Sequence, residues 1–138
     1  MTYFTPLRYF FVMTVMLLVT GLWMFILHTS LSIDGVLEYY APKTFFGLLE
    51  TVSPHLFGMG VLVFIVTHFF AILQDVKQDT YKWLSWGLFL LMFLTNVSGF
   101  FIAEQSAFFA FLKLISTLGF VGYSLWAMFK VYKLFKIT

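Results

Sequence analysis

Polar positions are so sparse in this chain that they punctuate it rather than alternate with apolar ones. Three stretches carry no Asp, Glu, Lys or Arg at all, residues 9–33, 51–74 and 83–103, and a fourth, 105–129, is interrupted only by Lys113. A helix needs about 20 mostly apolar residues to cross a bilayer, and each run is long enough. Barrel strands alternate polar and apolar positions, which these runs do not. The pattern predicts four helices, near 7–29, 53–74, 81–103 and 107–132, in one all-α transmembrane domain spanning 1–138. Ser53 followed by Pro54 reads as the cap and first position of the second helix, with His55 in its first turn. Trp83 and Trp86 read as interface anchors at the start of the third. The 30–52 connection is the one long loop, and a loop of that length in a small protein often carries function.

Composition strengthens this picture. The 138 residues are 62% hydrophobic and 10% charged, with a mean hydropathy of +0.97. Ordinary globular domains are about a quarter charged. A soluble fold of this size has too little interior for so much apolar surface. The first run is longer than a signal-peptide core and no clean small-residue cleavage site follows it, so it reads as a retained span. There is no cysteine, which excludes disulfides, iron–sulfur ligation and covalent c-type haem.

Charge placement sets the expected orientation. Arg8, Lys77, Lys82, Lys130, Lys133 and Lys136 fall on one side of the four spans, and only Lys43 and Lys113 on the other. The positive-inside rule then puts both termini in the cytoplasm, in a bacterial inner membrane. Asp34, Glu38, Glu50 and Glu104 fall outside.

Candidate chemistry rests on three histidines, His28, His55 and His68. Ionisable groups at membrane depth are costly and mark function by default. His28 ends the first helix and His55 begins the antiparallel second, so both fall near the outer surface. Two histidines on neighbouring helices suit bis-histidine ligation of a haem, or a metal ion. The plainer alternative is a pair of interfacial histidines bonded to loop or water. His68 lies thirteen residues after His55, about 20 Å deeper and about 140° around the helix. It cannot share a ligand with His55. It either serves a second, inner haem, with Met13, Met16 or Met92 as a partner, or is a neutral histidine bonded to a helix carbonyl or a serine. Gly21 shares a helix face with His28, and Gly58 follows His55 by three. Such glycines serve close helix packing or leave room for a flat macrocycle. The outer carboxylates are candidates for proton exchange with a quinol or for a metal shell, and Asp75 for orienting His68. As solvated loop charges they need no role.

His28, His55 in Ser-Pro-His-Leu-Phe-Gly and His68 in Val-Thr-His-Phe-Phe carry a resemblance. The chain resembles small four-helix membrane b-type cytochromes, including quinone-reactive anchor subunits. The likeness covers the architecture of the whole chain, but its motif is three residues. It implies a membrane electron-transfer subunit with one haem b, a second being open, that links the quinone pool to a partner redox protein. Two bis-histidine haems want four histidines, and ligand pairs on one helix are usually fourteen apart. This chain departs on both counts. The rival readings are a non-catalytic structural subunit of a larger membrane complex, and a metal-dependent enzyme using His28, His55 and the outer carboxylates. A transporter fits less well, because the spans show no inverted repeat.

Overall fold

A computed structural model describes residues 4–72, 78–102 and 106–137. It is all-helical across them: α1 Phe4–Thr29, α2 Ile33–Tyr40, α3 Phe45–Ile72, α4 Gln78–Phe101 and α5 Ala107–Ile137. Four of these (all but α2) are long and apolar enough to cross a membrane. Only 17% of the most apolar window of α1 is buried, and the same holds for α3. Most of their apolar surface therefore has lipid as its natural solvent.

The α4–α5 hairpin is the most closely packed pair. The third helix, α3, lies on α4, and α1 lies on the far side against α5. Between α1 and α3 there is only marginal contact. Small residues let α4 and α5 approach. A side chain at Gly119 would press on Leu91, and one at Gly87 would run into the Tyr123 ring.

Two helix starts differ from the sequence reading. The long 30–52 loop is largely helical. After α1, Ser30 and Leu31 take left-handed backbone angles, φ 49° and 52°, and turn the chain back on itself. Ser32 then caps α2, its Oγ accepting from the Gly35 N–H at 3.0 Å. Gly35 has to be glycine, because a Cβ there would collide with the Thr29 carbonyl. Along α2, Val36 and Tyr40 turn inward while Asp34 and Glu38 face out. That one-turn spacing defines an amphipathic helix.

The second correction concerns α3. Its cap is Thr44, whose Oγ1 accepts from the Gly47 N–H, not Ser53. The helix thus begins at Phe45 and runs through Pro54. Ser53 donates instead to the Leu49 carbonyl at 2.7 Å, and Thr51 to the Gly47 carbonyl. Both act as interior helix residues. Proline is tolerated inside a spanning helix when neighbouring groups satisfy the freed backbone.

Two apolar clusters hold the two ends. One joins α1, α3, α4 and α5 through Leu7, Phe11, Val66, Leu84, Phe120 and Met128. The other lies where α2 tucks against α1 and α5, around Val36, Tyr40, Leu48, Ile102 and Ala110.

Candidate functional site

All three histidines lie on the surface of the chain. His28, near the end of α1, packs against Tyr39 of α2, with ring centroids 4.6 Å apart. His55 is not in a first turn but eleven residues into α3, counting Phe45 as the first. Its Nδ1 lies 2.8 Å from the Thr51 carbonyl. A carbonyl can only accept, so Nδ1 donates in this contact, and Nε2 is the ring nitrogen without a hydrogen-bond partner among the described residues. That is the arrangement of a ligating imidazole, oriented through its other nitrogen. His68 stacks on Phe64, with centroids 5.8 Å apart, and meets Phe69 edge-on.

No ring contact, hydrogen bond or buried cluster joins His28 to His55. The helices that carry them barely touch. Gly21 and Gly58 have nothing within 4 Å of where a Cβ would stand, and neither has Gly60. These glycines do not mediate helix packing; Gly58 leaves an open flank one turn from His55, and Gly21 another two turns before His28. Among the described residues no three His, Cys, Asp or Glu side chains gather. Asp34, Glu38 and Glu50 are exposed and separate. Asp75, Lys77 and Glu104 lie outside the described residues, as does the Lys136 side chain. Imidazole is a common axial ligand of haem iron, but the structure does not bring two of these histidines together as a pair. A metal held by several protein ligands does not fit this donor set.

The structure assembles something the histidine pattern did not reveal. Lys113, in the second turn of α5, is 6% exposed. Its ammonium donates to the Thr95 carbonyl of α4 and stands 5.0 Å from the centre of the Tyr40 ring. Thr95 Oγ1 donates to Ser116 Oγ at 3.0 Å, and Ser116 and Thr117 donate back to the Lys113 carbonyl. The next residue of α4, Asn96, donates to the Met92 carbonyl. Tyr40 packs edge-on against Tyr39 at 4.9 Å, and Lys43 stands 4.0 Å above the Tyr39 ring. A continuous series of contacts thus runs from exposed His28 through Tyr39 and Tyr40 to buried Lys113, and on to Thr95 and Ser116. Burial pushes the Tyr40 hydroxyl well above the usual tyrosine range, and Tyr39 beside it acts in the same direction. The phenol is neutral at every physiological pH. Among the described residues Lys113 has no carboxylate partner; a ring face and a carbonyl dipole stabilise its charge.

Fold and composition together define an integral membrane protein built on a helical bundle. Residues 30–136 match the Aq_1264_TM family, a transmembrane helical domain, and the chain belongs to that family. The match takes in α2 to α5, with Tyr40, His55, His68 and Lys113, and leaves out α1 with His28. No curated protein and no solved structure matches the chain.

Proposed function

We propose that this protein is a membrane electron-transfer subunit that binds haem b through His55, about 15 Å along α3 from its start at Phe45. One observation carries the reading. His55 has its Nδ1 fixed on the Thr51 carbonyl and its Nε2 free, beside the unfilled space at Gly58. His28, exposed on α1, is the second ligand in this reading; because α1 and α3 barely touch, the reading requires the two helices to close around the haem. Tyr39 against the His28 ring restricts how it turns. The haem supplies one-electron chemistry when bound. The chain contributes orientation and a low dielectric. Electrons pass between the quinone pool and a partner redox protein. The excess of Lys and Arg at the ends carrying Arg8, Lys82, Lys130 and Lys133 supports cytoplasmic termini in a bacterial inner membrane. His68, stacked on Phe64 and edge-on to Phe69, is a packing residue in this reading, and a second haem is not required.

A non-catalytic subunit of a larger membrane complex is the second reading. It is favoured by the broad apolar face of α1, where Met13, Met16, Leu17 and Trp23 are all more than 60% exposed. The two readings separate in a reduced-minus-oxidised absorbance spectrum of the protein purified from cells supplied with haem precursor. A sharp α-band, lost in His55→Ala and broadened or shifted in His28→Ala but unchanged in His68→Ala, is the expected result. Absence of any Soret band, with a partner protein co-purifying, would replace the first reading by the second.

A further inference from the structure

At the end of the bundle away from α2, α1 and α5 do not close over each other completely. A groove of about 440 Å³ lies between them, floored by buried Phe11 and Met128. Its walls are exposed: Val12 is 55% and Met16 64% exposed on α1, and Phe129 64% on α5. The hydroxyl of Tyr132 is the one polar side-chain group in the lining apart from the methionine sulfurs. From Leu125 to Tyr132 the groove runs about 10 Å along α5, well within one leaflet of a bilayer about 30 Å thick.

The charge at its mouth follows from helical spacing. On α1, the lining positions Val12, Val15 and Met16 are four, seven and eight residues after Arg8, so Arg8 heads their stripe. On α5, Leu125 and Phe129 are followed at the next four-residue step by Lys133. The helices are antiparallel, and both stripes end at the same end of the bundle in an exposed cation. No ion pair occupies Arg8 or Lys133 among the described residues, and Lys130 beside them stands 5.7 Å over the Trp126 ring. Asp79, the described carboxylate at this end, opens α4, which has α5 between it and α1.

We infer that this groove is a binding site for an anionic phospholipid, with an acyl chain laid between α1 and α5 and the phosphate held by Arg8 and Lys133. A generic lipid-facing surface would take any acyl chain. Two cations that continue the lining stripes ask for a negative headgroup, since each basic side chain near the membrane surface favours an anionic lipid by about 1 kcal/mol. The inference depends neither on the haem reading nor on which leaflet this end occupies.

Native mass spectrometry of the full-length protein, titrated in detergent with phosphatidylglycerol or with phosphatidylcholine of the same chains, tests it. Phosphatidylglycerol should be retained preferentially. Arg8→Gln with Lys133→Gln should weaken that retention roughly thirty-fold, and either change alone about five-fold. Phosphatidylcholine binding should stay the same. Met16→Trp, which fills the groove while leaving both charges, should displace both lipids. Lys82→Gln, an equal loss of charge off the stripe, should leave retention intact; equal weakening by Lys82→Gln would overturn the site in favour of a diffuse charge effect. Equal retention of the two lipids by the unaltered protein would also overturn it. So would uptake of a menaquinone that blocks the groove and is indifferent to the double substitution, because the occupant would then be a neutral isoprenoid tail.

Discussion

The two ends of this bundle are held together by different physics. In the cluster that contains Phe120, four helices meet mainly through aliphatic and aromatic side chains, Leu84, Val66 and Met128 among them, with Ser124 the buried hydroxyl between Phe120 and Met128 on α5. Around Tyr40, five helices converge on a charge, a ring and a row of hydroxyls. In lipid, apolar contact between helices gains little from the hydrophobic effect, so the first end depends on shape and close packing. The second adds directional bonds that fix register. It also carries groups whose burial costs several kcal/mol unless they are satisfied. Lys113 has its stem among apolar side chains and its head on a carbonyl and a ring. The α2 helix is folded back to supply that ring.

This contrast can be broken most severely at Lys113. Lys113→Glu sets a carboxylate against the Thr95 carbonyl and the electron-rich face of Tyr40. It should cost about 3–5 kcal/mol and leave little monodisperse protein in size-exclusion chromatography. Lys113→Met keeps the volume and removes the charge, and its melting temperature should stay close to that of the unaltered protein. Equal collapse of both variants would mean that the site needs the cation itself. At the apolar end, Phe120→Ala should lose about 3 kcal/mol by opening a cavity, measured by thermal unfolding in detergent. Thr95→Val, which deletes the bond to Ser116, should cost only about 1 kcal/mol.

The smallest effect is a pH dependence. Folding raises the Tyr40 hydroxyl above its ordinary value of 10.0, so it favours the neutral phenol. Its contribution to stability is complete below pH 10 and is lost as the pH rises further, because the unfolded chain then ionises first. Tyr40→Phe should flatten the fall in melting temperature above pH 10. An unchanged slope would show that Tyr40 is not buried.

The four spans were legible in the sequence because bilayer thickness imposes a length that charge-free runs report directly. The α2 helix was not. Its eight residues are too few for a periodic pattern to stand out from a loop, and what defines it is tertiary: the left-handed turn at Ser30 and Leu31 and the contact of Gly35 with Thr29. Ser53-Pro54 imitates a helix start closely enough to hide Thr44. The histidines were legible as candidates, whereas their surroundings were not. A one-dimensional pattern cannot show that His55 bonds Thr51 or that His28 meets Tyr39. The buried cluster did leave one signal, since Lys113 is the lone charge interrupting an apolar run. Its meaning depended on the partners that α2 and α4 bring to it.

Ligation by His55 is the central functional claim, and the haem content of purified protein tests it most directly. Protein made with ample haem supply should hold about one haem b per chain by pyridine haemochrome assay, and His55→Ala should hold essentially none while His68→Ala keeps its full complement. Equal haem content in all three, or none in the unaltered protein, would contradict the account.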